Sequence, residues 1–253
     1  MAQLTVCILT FNSMRTLPAC LAPAQKVADE LLVVDSGSQD GTLEFLRSQG
    51  VQPVYRKYET HGSQMNFALD LAANDWVLCL DSDEFMDAAL QAAILELKSS
   101  LSDDGVAYRI PRYWRVLGQE VRAIYPVSSP DFPLRLFNRR RVRFNDVPVD
   151  DKATGVPDRR MLPGRLTHDT FFSVHEVFAK LNSYTSRLIE HQDIKPSLGR
   201  ALFGSIFAFG KWYVRKGAWR DGGVGVVTGI YAALYTFLKY FKAWCRSRRL
   251  PLQ

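Results

Sequence analysis

Asp81, Asp83, Glu84 and Asp87 crowd four carboxylates into seven residues, directly after the apolar run 76–80. Like charges at that density repel unless protons or a cation intervene. A divalent metal is the simplest remedy, because Mg²⁺ or Mn²⁺ takes carboxylate oxygens and leaves room in its shell for phosphate oxygens or water. Such an ion on a diphosphate would be a Lewis acid for the charge on a leaving group. A second acidic loop, Asp35-Ser36-Gly37-Ser38-Gln39-Asp40-Gly41-Thr42, follows the apolar run 31–34, and Thr10-Phe11-Asn12 follows the run 4–9. Each piece also has a structural reading. Asp35, Asp83 and Asp87 are all placed to cap a following helix, and Asp40-Gly41 is turn chemistry. Two acidic loops at one edge of a sheet point to a site more strongly than either does alone.

The elements that position these loops follow from periodicity. Runs 4–9, 31–34, 51–55 and 76–80 are short, apolar and rich in β-branched residues, and the segments between them carry helical spacing such as Leu43, Leu46 and Phe67, Leu71. This βαβαβαβ rhythm predicts a mostly parallel sheet covered on both faces. Ligands of such sheets bind at the carboxyl ends of the strands. After residue 102 the rhythm changes: 108–116 and 120–124, with a turn at Gly118, read as one extended pair, and 134–137 with 142–144 as another. Helical periodicity returns from Ser173 to Gln192, and two apolar helices follow Pro196, broken around 217–225.

Charge is distributed unevenly along the 253 residues: net −7 over 1–100 and net +13 over 101–253. From Lys195 onward eleven basic residues face Asp221 alone. The basic tail is interleaved with apolar stretches and does not form a solvated stripe, which favours an anionic membrane surface over nucleic acid as partner. Lys and Arg next to Trp212, Tyr213, Trp219 and Trp244 suit a headgroup layer, and the 17 uncharged residues 222–238 are at the short limit for a span. Four cysteines (Cys7, Cys20, Cys79, Cys245) show no paired or zinc-type spacing, which suits a reducing cytoplasm. The first residues show no signal-peptide pattern. The expected location is therefore cytoplasmic and peripheral on the inner face of the cytoplasmic membrane.

Thr10-Phe11-Asn12, Val34-Asp35-Ser36-Gly37-Ser38-x-Asp40-Gly41-Thr42, Gln64-x-Asn66-x-Ala68 and Trp76-Val77-Leu78-x-Leu80-Asp81-Ser82-Asp83-Glu84 occur in the order of the motifs of the inverting family 2 glycosyltransferases, which the chain resembles over its first hundred residues. The resemblance implies a GT-A fold, an α/β architecture with a mixed, mostly parallel sheet flanked by helices, here followed by an apolar and basic helical segment. It implies a nucleotide-sugar donor held by Thr10, Asn12, Asp35, Asn66, Asp81 and Ser82, with Asp35 accepting from a uracil N–H. Asp81 and Asp83 form the DxD element, with Asp83 the direct ligand of Mg²⁺ or Mn²⁺ and Asp81 nearer the ribose and diphosphate. The expected organisation is a catalytic domain over residues 1–195, with the donor side in residues 1–100 and the acceptor side in residues 101–195, and a membrane-associating segment over residues 196–253.

The second half resembles, less tightly, the branch that adds glucose to heptose of the lipopolysaccharide inner core, through Arg135-Leu136-Phe137, Val149-Asp150-Asp151, Leu166-Thr167-His168 and Gly217-x-x-x-Asp221-Gly222. That branch usually carries His-Glu where this chain has Asp150-Asp151. An inverting transfer needs a carboxylate to take the acceptor hydroxyl proton. Asp151 is the first candidate for that base and Asp150 the second; a solvated acidic turn is the structural alternative for both. His168 is a candidate metal or diphosphate ligand, and Arg135 a partner either of the diphosphate or of a structural carboxylate.

The reading is an inverting, metal-dependent hexosyltransferase that moves glucose from UDP-glucose to a lipopolysaccharide core sugar or another lipid-linked glycan. Its rivals are transfer to polyprenyl phosphate, whose anionic acceptor needs no base, and a membrane-associated scaffold on a degenerate GT-A fold. A nucleotidyltransferase is disfavoured because residues 9–12 offer no glycine-rich phosphate loop.

Overall fold

The computed structural model describes residues 2–101, 105–147 and 151–251. The chain forms two compact units, one of Met1–Arg112 with Phe132–His168 and the other of Tyr113–Asp131 with Asp169–Gln253. The expected boundary after residue 195 falls inside the second unit.

The first unit begins with β1 (Leu4–Thr10), α1 (Leu17–Val27), β2 (Glu30–Asp35), α2 (Thr42–Ser48), β3 (Val54–Tyr55), α3 (His61–Leu71), β4 (Trp76–Asp81), β5 (Glu84–Met86), α4 (Ala88–Leu97) and β6 (Val106–Arg109). The chain then runs through β7 (Arg112–Val116), β8 (Gln119–Glu120), β9 (Ala123–Ile124) and β10 (Val127–Ser128). It re-enters the first unit with β11 (Leu134–Asn138), β12 (Arg143–Phe144), β13 (Ala153–Thr154), β14 (Asp158–Met161) and the start of β15 (Leu166–Phe171).

Seven strands make one sheet in the order β14-β6-β11-β4-β1-β2-β3. β1 pairs in parallel with β2 and β4, β2 with β3, and β14 with β6, while β11 runs antiparallel to β4 and β6. The sheet is therefore mixed and mostly parallel, as the alternating rhythm implied. Its central strands are continuous apolar runs because both faces are covered. Leu4, Val6 and Ile8 of β1 pack with Leu17 and Leu21 of α1 and Leu90 and Ile94 of α4. Cys7, one residue out of phase, packs on the other face with Met65 and Leu69 of α3.

Local signals set the helix ends. Thr60 and Ser63 form a reciprocal capping box at α3, and the Asp87 carboxylate accepts from the Leu90 N–H, so Asp87 caps α4. The turn expected at Gly118 is a β7–β8 hairpin with φ of 51° at Leu117 and 77° at Gly118. One pairing differs from expectation: β11 does not pair with the segment 142–144. It inserts between β4 and β6, where Leu136 and Phe137 are fully buried, and β12 pairs with β13 instead. Fully apolar side chains at two successive positions need cover on both faces, which only a place inside the sheet supplies.

In the second unit α5 (Val174–His191) starts at the Ser173 cap, whose hydroxyl accepts from the Glu176 N–H. α6 (Leu198–Phe209) runs into a π-helical stretch, Gly210–Arg215, and after a short 3₁₀ turn α7 (Gly222–Ser247) completes the unit. α7 is long and apolar enough to cross a membrane by length and composition. It is nevertheless a packing element: Tyr231 and Tyr235 are buried in a cluster with Val177, Leu181 and Leu188 of α5. Lys242 is held there by the Asn182 carbonyl and Oδ1, Thr185 Oγ1 and Ser186 Oγ, all within 2.8 Å. Burial pushes the Lys242 ammonium below its ordinary pKa.

Candidate functional site

Three strand ends lie level at one edge of the sheet: Leu9 of β1 pairs with Asp81 of β4, and Thr10 with Asp35 of β2. Parallel pairing in this register starts the three polar loops side by side.

The β1 and β2 loops are tied together. Asp35 Oδ1 accepts the Gly37 and Ser38 N–H groups at 2.8 Å each, and Oδ2 accepts the Thr10 hydroxyl at 2.8 Å and the Ser38 hydroxyl at 2.5 Å. Asn12, with φ of 49°, donates its N–H to Ser38 Oγ and accepts the Gln39 N–H on Oδ1. Asp40 accepts from Met14 and Thr42, which is turn chemistry. Ser82 shares a 2.7 Å hydroxyl contact with Ser13. Phe11, between these anchors, is 60% exposed.

The acidic cluster is relieved by cations of the chain itself. Glu84, fully buried, pairs with Arg135 Nη2 and, at 2.7 Å, with Arg112 Nη1. Arg135 also reaches Asp81 Oδ2 at 2.9 Å, so its guanidinium meets two carboxylates of the chain. Its aim has a backbone cause: the register of β11 against β6 shifts between Leu134 and Leu136, making Arg135 the bulged residue. Among the described residues Arg135 Nε is buried without a hydrogen bond.

The other Asp81 oxygen is taken by a residue that sequence reasoning missed. His61 Nε2 lies 2.8 Å from Asp81 Oδ1, and its Nδ1 lies 2.8 Å from Asp151 Oδ2. The capping box places His61 in the first turn of α3, where the helix dipole adds to the positive field. Burial alone would lower the imidazole pKa, but Asp81 and Asp151 outweigh it and push it up to about 10. The ring is therefore an imidazolium at neutral pH, donating from both nitrogens. Burial would raise the Asp81 carboxyl, yet His61 and Arg135 hold it well below the usual carboxylate range. No spacing rule pointed to His61; of its partners, Asp81 ends β4 and Asp151 lies in the loop before β13.

Asp83 Oδ2 lies 3.2 Å from His168 Nε2, brought together by the antiparallel β5–β15 pair in which His168 faces Glu84. Among the described residues no group of three or more His, Cys, Asp or Glu is arranged to hold a metal ion. Asp150 lies outside the described residues. Asn66 is placed differently from the other candidates: its amide donates to the Phe144 carbonyl at 2.8 Å and accepts the Phe144 N–H at 3.0 Å, clamping β12 to α3. Phe144 in turn meets the His61 ring edge-on, with centroids 6.0 Å apart. All four cysteines are buried, and burial pushes the Cys7 thiol up to about 12.

The sequence model of Glycosyl transferase family 2 matches residues 5–155, which contain both acidic loops, His61 and Asp151. The lipopolysaccharide core biosynthesis glycosyltransferase LpsC of Rhizobium meliloti (strain 1021) is 27% identical, over 96% of this chain and 92% of that one. An uncharacterized glycosyltransferase of Rickettsia prowazekii (strain Madrid E) is 26% identical over 96% of this chain and 87% of its own. Among solved structures, glucosyl-3-phosphoglycerate synthase from Mycobacterium tuberculosis in complex with Mn²⁺ and UDP-glucose superposes with a TM-score of 0.47 at 16% identity, covering 78% of this chain and 81% of that one. The family match spans more than half of the chain, and with the strand-end loops it describes, the chain belongs to glycosyltransferase family 2.

Proposed function

We propose that the protein is an inverting hexosyltransferase that moves glucose from UDP-glucose to a sugar of the lipopolysaccharide core, working at the cytoplasmic face of the membrane. The observation that carries the reading is the Asp81–His61–Asp151 chain, which sets a candidate base beside the DxD element. The similarity to a lipopolysaccharide core glycosyltransferase over nearly the whole chain supports the acceptor class.

In this mechanism Asp151 is the base. His61 holds Asp151 Oδ2, and Oδ1 has no hydrogen bond among the described residues, so it is the oxygen for the acceptor hydroxyl. The acceptor oxygen attacks the anomeric carbon, its proton passes to Asp151, and the bond from that carbon to the diphosphate breaks with its electrons leaving on UDP. A single displacement inverts the centre and needs no sugar–enzyme bond. Thr10, Asn12 and Asp35 build the nucleoside side, where Asp35 fixes the loop and the exposed Phe11 ring offers a face for the base.

Asp83 and His168 fit two positions of a divalent ion: one hard oxygen and one imidazole nitrogen, 3.2 Å apart, with diphosphate oxygens to complete the shell. Mg²⁺ or Mn²⁺ bound there would neutralise charge on the departing UDP. Asp81, with one oxygen on His61 and the other on Arg135, is an orienting group on this reading.

The test is a donor screen with nucleotide sugars and extracted acceptor lipid, read by nucleotide release for wild type and Asp151→Asn. UDP release from UDP-glucose should dominate. The variant should keep donor affinity and lose about 10²- to 10⁴-fold in kcat. Full turnover by Asp151→Asn with polyprenyl phosphate would overturn the proposal.

A further inference from the structure

α6 turns the opposite face outward from the one a packing helix should expose. Its small residues meet α7: Ala201 and Ala208 are buried, and a methyl group added at Gly204 would stand 3.3 Å from Thr236 Cγ2. Its large residues face away, with Phe203 75%, Phe207 72%, Ile206 71% and Leu202 56% exposed. Positions 202, 203, 206 and 207 fall on one stripe of the helix, and Val214, 62% exposed, follows in the π-helical stretch. A contiguous apolar face of this kind marks an interaction surface.

Charge identifies the partner. Arg200, Lys211, Arg215, Lys216 and Arg220 are all exposed in and after α6. Asp221, the single acidic residue beyond Lys195, is buried and bound to Arg122, so no carboxylate of this segment offsets them. A second copy of the chain would bring two cationic rims together, which disfavours self-association. A cleft of ≈ 510 Å³ lined by Phe203, Phe207, Trp212 and Tyr240, with Arg200 and Lys211, adjoins the face and is complementary to an anionic lipid: an apolar wall for a chain and cations for a phosphate.

We propose that α6 is the membrane-docking element, its Leu202, Phe203, Ile206 and Phe207 entering the acyl boundary of an anionic phospholipid bilayer while Arg200, Lys211, Arg215 and Lys216 meet lipid phosphates. This deepens the membrane-side reading above by naming the element that docks and the lipid charge it needs. α7, the longer apolar helix, is the support against which α6 is held. The geometry is that of an interfacial helix lying in the headgroup plane, with aromatic and aliphatic groups below and cations level with phosphate.

The experiment is cosedimentation of the full chain with vesicles of phosphatidylcholine containing about a quarter phosphatidylglycerol, against pure phosphatidylcholine. Wild type should bind the anionic vesicles more strongly, and free inorganic phosphate at the same charge concentration should not compete. Phe203→Ser with Phe207→Ser should weaken binding by about tenfold or more with the far-ultraviolet dichroism unchanged, since both side chains face solvent. Lys211→Glu with Arg215→Glu should erase the preference for the anionic vesicles. Wild-type binding by the phenylalanine variant would overturn the proposal. So would self-association of wild type, abolished by that variant, with no vesicle binding. UDP binding in Mn²⁺ is measured on the same samples: vesicle binding without UDP binding would sink the donor reading and leave the docking surface standing.

Discussion

Asp151 Oδ2 lies 2.8 Å from His61 Nδ1, across ninety positions of the chain. The opposite ring nitrogen makes the same contact with Asp81, so one imidazolium separates two carboxylates that would otherwise repel. The candidate base and the DxD element are therefore coupled through a residue that belongs to neither.

His61→Ala should lower kcat by about 10- to 100-fold while the donor KM changes little, because the loss falls on positioning Asp151 and not on contacts to UDP. His61→Gln keeps one N–H donor and should recover some of the loss. Equal activity of the alanine variant, or a purely KM-based defect, would remove His61 from this role.

Metal dependence should follow the Asp83–His168 pair. Asp83→Asn should weaken Mn²⁺-dependent UDP binding, measured by titration calorimetry, by about tenfold or more, with His168→Ala in the same direction. Full activity in EDTA would contradict it.

Gly62 lies beside His61 at the start of α3, where a methyl group would run into the Asn145 carbonyl oxygen and touch the Asp151 Cβ at 3.4 Å. A backbone oxygen cannot rotate away as a side chain can. Gly62→Ala should displace the Asp151 loop and cost at least about tenfold in kcat, though alanine is the better helix former. An unchanged kcat would mean that the loop tolerates the shift.

Asp29 gives a pH signature away from the site. Its carboxylate accepts from Lys98 Nζ at 2.6 Å and from the Leu4 N–H at 2.7 Å, and these bonds, Lys98 first, hold it below its ordinary value of 3.8 against the opposing effect of burial. A depressed carboxylate contributes stability above its unfolded pKa and loses it as pH falls through the folded one. With a side chain 35% exposed, the pair is screened, so Asp29→Asn should cost less than about 1 kcal/mol at pH 7. Chemical denaturation should show the gap to wild type closing as pH falls below the ordinary value of 3.8 and through the lowered folded one; a gap that persists in acid would assign the effect to the hydrogen bonds alone.

The sequence by itself determined the elements whose causes are local. The first four strands are legible in their apolar runs, and α5 in the Ser173 cap and its periodicity. The β7–β8 turn is legible in Gly118, and the sheet edge that carries the polar loops in the order of strands and helices. The family could be read there too, because its motifs are contiguous stretches at strand ends.

Tertiary structure alone decided which groups neutralise one another. Whether Arg135 meets a diphosphate or a carboxylate depends on a bulge in β11, a strand whose neighbours β4 and β6 are set by long-range pairing. Asn66 faces Phe144, and Lys242 faces Asn182, Thr185 and Ser186, for the same reason. Composition marked the tail as apolar and basic, yet it could not say that one face of α7 would pack on α5 and that α6 would turn small residues inward and phenylalanines outward. Periodicity shows that a helix has two faces; which one is covered is fixed by the neighbour it packs against, and that neighbour is chosen by the fold as a whole.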